Sequence, residues 1–236
     1  MCRSCDKLSR RRVLSFLGTG AVAAGLLGAG APRSPAAGAT TMTADEALAK
    51  LKAGNQKFLT APELCATDMA KQRADVAKGQ SPWATILTCS DSRVSPELIF
   101  GGVGLGELFV VRNAGNVADT AAMGTIEYGA EHLGSPLVVV LGHQRCGAVE
   151  AACEVVAKHT KLPGFIAPMV DAIVPAAKAV YGKPGDFVDN TVRENARLGA
   201  QKISTRSRIV EHLEHEGKVK VLYARYDLDK GVVDFL

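Results

Sequence analysis

The sequence predicts an α/β fold, a largely parallel β-sheet flanked by helices. Three observations lead there. Short apolar runs of strand length recur near 83–89, 108–112, 136–141 and 218–227. Longer stretches with helical periodicity and capping signals separate them, the alternation expected of crossover connections between parallel strands. Two of the runs carry no charge and read as strands buried on both faces, and each leads into small polar or metal-liganding residues, Cys89 in one case and His143 in the other.

Taken in order, Thr43-Ala-Asp-Glu46 has the pattern of a capping box, and Leu48, Leu51 and Phe58 continue an apolar stripe, so a helix is expected to about residue 59. A second helix is expected over 68–78, stopped by Gly79-Gln-Ser-Pro82, after which 83–89 is the first strand. Ser95-Pro96 starts a helix kept brief by Gly101, Gly102, Gly104 and Gly106. Strand 108–112 closes in Asn113-Ala-Gly-Asn116; 119–132 is helical with Gly134 as its stop; 136–141 is the third strand. A helix follows over 146–159. Pro168 and Pro175 allow only short or kinked helices between 163 and 181. A long or broken helix over 186–216 precedes a last strand at 218–227. No internal repeat, low-complexity segment or second membrane-length run interrupts this, so residues 40–236 read as one domain.

Residues 1–39 read as a twin-arginine-type signal peptide. Ser9-Arg-Arg-Arg-Val-Leu14 runs into an apolar segment at 13–31 whose five glycines make it weakly hydrophobic for a membrane anchor, and Ala37-Gly-Ala39 is a small-x-small cleavage pattern. The expected destination is periplasmic or extracellular, with no stable membrane association once the signal is removed. The segment carries six of the 28 basic residues and one of the 24 acidic ones, so the net charge of +4 becomes −1 without it. The basicity belongs to the signal and gives no support to a nucleic-acid partner.

Of the six cysteines, Cys2 and Cys5 fall in the signal and Cys65 in a loop-like stretch without an assignable role; Cys153 reads as a small buried hydrophobe. Cys89, His143 and Cys146 remain. Two thiolates and one imidazole suit Zn²⁺ with a fourth position open, and strand ends can bring them together although they are far apart in sequence. Cys146 would sit at a helix N-terminus, which favours a thiolate. The alternative, two core cysteines and an unrelated histidine, stays open at this point. Asp91 is two residues from Cys89 and can reach the same metal or a water on it, while Arg93 is spaced to pair with that carboxylate in a fork. A plain surface ion pair is the competing reading.

Cys89-Ser-Asp-Ser-Arg93 together with Gly142-His-x-x-Cys-Gly147 resembles the signature of the β-class carbonic anhydrases, and Glu107-Leu-Phe-Val-Val-Arg-Asn-Ala-Gly-Asn116 and Ile126-Glu-Tyr128 are similar to the same family. The resemblance covers about residues 43–235. It implies the β-carbonic anhydrase fold and one Zn²⁺ per subunit on Cys89, His143 and Cys146, with Asp91 or a water as fourth ligand. The implied reaction is reversible hydration of CO₂ to bicarbonate and a proton at zinc-activated water, with Asp91 and Arg93 as catalytic residues. Gln80, Phe109, Tyr128 and Gly147 would bind substrate. A homodimer or higher homo-oligomer is implied, with the active site near the interface. A subgroup of the family carries Trp and Gly three and one residues before the first zinc cysteine, where this chain has Ile86 and Thr88; Tyr226 resembles that subgroup's tyrosine. With Gln80 present, the resemblance implies the form in which Asp91 stays on Arg93. His132 is placed where a proton shuttle could be or where a helix-end histidine faces water, and His212 and His215 read as surface residues. Two rival functions share the site: hydrolysis of carbon disulfide or carbonyl sulfide, and a non-catalytic zinc module serving dimerisation.

Overall fold

The computed structural model describes residues 40–61 and 69–236. Residues 1–39, where the signal peptide is expected, lie outside the described residues with Cys2 and Cys5, as does Cys65. The helices are α1 (Ala44–Thr60), α2 (Met69–Val76), α3 (Pro96–Ile99), α4 (Thr120–Glu131), α5 (Gly147–Lys158), α6 (Ile166–Asp171), α7 (Val174–Val180), α8 (Phe187–Arg206) and α9 (Arg208–His215). The strands are β1 (Ala84–Cys89), β2 (Leu108–Asn113), β3 (Leu137–His143), β4 (Lys220–Tyr226) and β5 (Val233–Phe235).

The sheet order is β2-β1-β3-β4-β5. The first three pairings are parallel and β4–β5 is antiparallel. After β1 the chain moves to one side to build β2, then crosses to the other side to build β3. The carboxyl ends of β1 and β3 therefore flank the point where strand order reverses, the place where open α/β sheets leave a crevice for ligands. Cys89 ends β1 and His143 ends β3.

Alternation along β3 divides the core between two faces. Leu137, Val139 and Leu141 pack with Leu51, Ile86 and Phe100 beneath α1, whereas Val138 and Val140 pack with Ile126, Ala196 and Ile203 beneath α4 and α8. A strand buried on both faces needs this unbroken apolar run. A third cluster forms around the ligand corner: Cys89, Cys146, Val149, Cys153, Ile173 and Val192.

Most elements stand where they were expected. Thr43 and Glu46 form the capping box, with Thr43 N donating to Glu46 Oε2 at 2.7 Å and Glu46 N to Thr43 Oγ1 at 3.3 Å. Asp119 caps α4. The long helix expected over 186–216 is broken at Ser207, whose hydroxyl accepts from Val210 N and restarts the chain as α9. β3 runs two residues further than the apolar run and takes His143 into the sheet. β5 is an addition: its three residues pair with β4 after a turn at 227–232 and are too few to show an alternation.

Candidate metal centre

β1 delivers Cys89 to the switch point as the last residue of a buried strand. His143 arrives on the adjacent β3, and Cys146 follows as the N-cap of α5. The Sγ atoms of Cys89 and Cys146 are 3.9 Å apart. One ligand atom from each of the three residues lies within 4.8 Å of the others, and all three residues are buried. The cysteines are free thiols. His143 is fully buried; its Nδ1 is 2.9 Å from Gln144 O, and its Nε2 has no hydrogen-bond partner. A buried imidazole nitrogen left without a partner is costly. Beside two thiols it fits a tetrahedral Cys₂His metal site with one position remaining.

The electrostatics of the pair point the same way. The Cys146 thiol hydrogen-bonds toward Cys89 and pushes the Cys89 thiol well below its ordinary range, with His143 and the backbone at Gly115 and Asp91 adding to this against burial. Cys146 shifts upward, first because it gives that bond and then through burial. Cys89 Sγ also accepts from Gly115 N at 3.3 Å. The loop carrying Gly115 is held in turn by Asn195, whose Nδ2 donates to Gly115 O at 2.9 Å.

Asp91 stands at the open side. Arg93 Nε donates to its Oδ1 at 2.9 Å and Arg93 Nη2 to its Oδ2 at 2.6 Å, a forked pair. The hydrogen bond from Arg93 is the leading cause that holds the Asp91 carboxyl well below the usual carboxylate range. Asp91 Oδ2 is also 3.8 Å from His143 Nε2, so the carboxylate borders the metal position while turned onto the arginine. Gly147 opens α5, and nothing stands within 4 Å of where a Cβ would project, which leaves room above the corner.

The structure does not gather the remaining predicted site residues around this cluster. Gln80 lies before the start of β1, close to Gly106, whereas Cys89 is at the other end of the strand. Phe109 is opposite Thr85 and Cys89 is opposite Asn113, so Phe109 is about 13 Å further back along β2 at the usual rise per residue. Tyr128, on α4, has its ring centroid 6.1 Å from that of Phe109 and is 49% exposed. His132, exposed at the end of α4, packs at 5.1 Å on Tyr128. Phe109, Tyr128 and His132 form a second group at the edge strand β2, and Gln80 lies near the start of that strand. His212 and His215 are exposed on α9 as expected, with His212 Nε2 3.5 Å from Glu216. Cys153 is buried, its Sγ 3.3 Å from Thr191 Oγ1.

Sequence reasoning passed over Gln144, Arg145 and Asp229. Gln144 N donates to Tyr226 O at 2.9 Å, and Leu228 N donates to Gln144 Oε1 at 3.2 Å. Arg145 grips Asp229 with two hydrogen bonds of 2.8 and 2.7 Å. A C-terminal partner of the ligand corner has no local signature in the sequence.

Comparison with known proteins agrees with this site. Residues 84–233 match the family model described as carbonic anhydrase. The chain is 35% identical over 185 residues to carbonic anhydrase 2 of Mycobacterium tuberculosis, covering 77% of this chain and 87% of that protein. To the carbonic anhydrase of Mycolicibacterium smegmatis it is 34% identical over 188 residues, covering 78% of this chain and 89% of that protein. Its fold is similar to the solved β-carbonic anhydrase of Coccomyxa, with a TM-score of 0.63 at 29% identity over 71% of this chain and 77% of the other. Fold and site together define an α/β protein with a Cys-His-Cys centre at the switch point of its sheet. The chain belongs to the carbonic anhydrase family, in its β-class.

Proposed function

We propose that the protein catalyses reversible hydration of CO₂ to bicarbonate and a proton, with one Zn²⁺ per subunit held by Cys89, His143 and Cys146. The observation that carries this is the unpartnered, buried Nε2 of His143 facing two thiols, with Asp91 turned away onto Arg93. Zinc bound there supplies a Lewis acid that brings the ionisation of a water toward neutral pH.

The chain's own groups do the rest. Asp91 is held ionised by Arg93, and its Oδ2, 3.8 Å from His143 Nε2, borders the metal position, so it can accept a hydrogen bond there and orient a nucleophile's lone pair toward CO₂. Ile86 is fully buried in the core, and Thr88 Oγ1 donates to Leu141 O at 3.0 Å. These residues stand where the gated subgroup of the family carries Trp and Gly, which supports a centre in which Asp91 stays on Arg93. The space at Gly147 admits a small substrate over the corner.

Gln80, Phe109 and Tyr128 serve substrate from a second copy of the chain. Their place beside the half-exposed edge strand β2, a strand's length from their own Cys89, supports a dimer in which each centre is completed by the partner. His132, packed on Tyr128, would share that interface and could pass protons to solvent. The comparisons favour CO₂ hydration and lend no support to carbon disulfide hydrolysis or a purely structural zinc module. Export by the twin-arginine route, with cleavage before Thr40, completes the proposal; N-terminal sequencing of protein recovered from outside the cytoplasm tests it.

The central test is CO₂ hydration by purified protein, with metal content measured on the same sample. The expected result is about one zinc per chain, activity lost on chelation and restored by zinc. Zinc-loaded protein without CO₂ hydration anywhere between about pH 6 and pH 9 would overturn the reading.

A further inference from the structure

The ligand corner His143-Gln-Arg-Cys146 is tied from outside to the turn between β4 and β5. Arg145 has a left-handed backbone, φ 51°, a region that disfavours residues with a side chain. Its guanidinium holds Asp229 in a two-bond fork. Its carbonyl accepts from Arg93 Nη2 at 3.3 Å, and that same nitrogen donates to Asp91 Oδ2 at 2.6 Å. One side chain and one carbonyl thus connect Asp229 on the far turn to the carboxylate bordering the metal position. Asp227 braces the turn, its Oδ1 accepting from Asp229 N at 3.0 Å and Lys230 N at 2.9 Å.

The Arg145–Asp229 pair is half-exposed, at 48% and 62%, so its Coulombic contribution to stability is small. What a forked pair supplies is direction. With the Arg145 side chain anchored, the backbone stays left-handed and its carbonyl faces Arg93. Without that acceptor Arg93 loses one of the contacts that place it, and Asp91, 3.8 Å from His143 Nε2, is close enough to turn onto the metal.

We propose that Arg145 and Asp229 are positioning residues, whose clasp holds the left-handed corner that keeps Asp91 on Arg93 and the fourth metal position open. This rests on the CO₂-hydration reading. Three variants of the zinc-loaded protein test it: Arg145→Ala, Asp229→Asn and Arg145→Gly. Each is measured for kcat and KM in CO₂ hydration and for the rate of zinc transfer to a chromophoric chelator. In Arg145→Ala and Asp229→Asn, kcat should fall about fivefold or more with KM within about twofold. Zinc transfer should slow, because Asp91 becomes an added ligand. Arg145→Gly, in which glycine adopts the left-handed conformation without strain, should recover most of both properties.

A corner that had merely loosened would release zinc faster, so faster transfer in Arg145→Ala or Asp229→Asn overturns the proposal. So does an Arg145→Gly variant as impaired as Arg145→Ala, or wild-type behaviour in all three. If the wild-type protein hydrates no CO₂, the functional reading fails, and the direction of the zinc-transfer change still decides the clasp.

Discussion

Both oxygens of Asp91 are engaged by Arg93, and Oδ1 also accepts from Arg93 N at 2.9 Å, so the side chain is fixed against its own local backbone. Asp91→Asn keeps the size but removes the charge and one acceptor. Zinc content should stay near that of the wild type, while turnover falls by about 10²-fold, in the range ascribed to a single positioned acid–base group. Full activity in that variant, at matched zinc content, would remove Asp91 from the mechanism. Cys89→Ser should instead lose the metal, since it removes one of the three side chains whose ligand atoms lie within 4.8 Å of one another. At this scale much of the site was legible in the sequence. Cys89, Asp91 and Arg93 lie within five residues, and His143 and Cys146 within four, so their chemistry shows as spacing. Arg145 was not legible, because it bonds 84 residues away to Asp229 and its left-handed backbone carries no glycine to mark it.

Among the elements, β1, β3 and the helices α1 and α4 were legible because burial on both faces demands unbroken apolar runs, and because caps such as Thr43 and Asp119 mark helix starts. β5 and the break at Ser207 depend on tertiary contacts, the first on pairing with β4 and the second on Ser207 Oγ reaching Glu127 Oε1 at 2.6 Å. Close packing between α1 and the end of α3 gives one prediction. A Cβ on Gly54 would collide with Phe100 O, a backbone atom that cannot yield cheaply. Gly54→Ala should therefore destabilise the fold by about 3 kcal/mol or more, seen in denaturant unfolding; a loss under about 1 kcal/mol would show that the two elements part easily. The β4–β5 turn gives another. Lys230 N and then Arg225 hold the Asp227 carboxyl below the usual carboxylate range. Its folded value is lower than its unfolded value, so the unfolded chain takes up the proton first as pH falls. The stability Asp227 contributes is complete above about pH 4 and is lost as pH drops through the folded value. Thermal melts should show Asp227→Asn below wild type at neutral pH, with the gap closing under about pH 4. A gap independent of pH would mean that the carboxylate's charge has no part in holding the turn.

For the whole molecule, the question is which chain completes which centre. The sheet sends Cys89 and His143 to the carboxyl ends of β1 and β3, while Gln80 stands ahead of β1 and Phe109 pairs with Thr85 near its start. Six residues of strand span about 20 Å, too far for a glutamine side chain to reach across within one chain. The sequence alone could not show this, because proximity along the chain says nothing about which end of a strand a residue occupies or which copy it faces. Mixing two inactive variants separates the possibilities. Cys89→Ser lacks the metal but retains Gln80; Gln80→Ala retains the metal but lacks the side chain proposed to bind substrate. If Gln80 acts across the interface, a hybrid dimer contains one centre with the metal of one chain and the Gln80 of the other, and that centre is intact. Unfolding the two together with zinc and refolding them at equal concentration gives about half hybrid dimers when pairing is random. One centre in four is then intact, so activity should rise to about a quarter of wild type, well above either parent refolded alone. If Gln80 acted within its own chain, every hybrid centre would lack either metal or glutamine, and the mixture would be no more active than the mean of its parents.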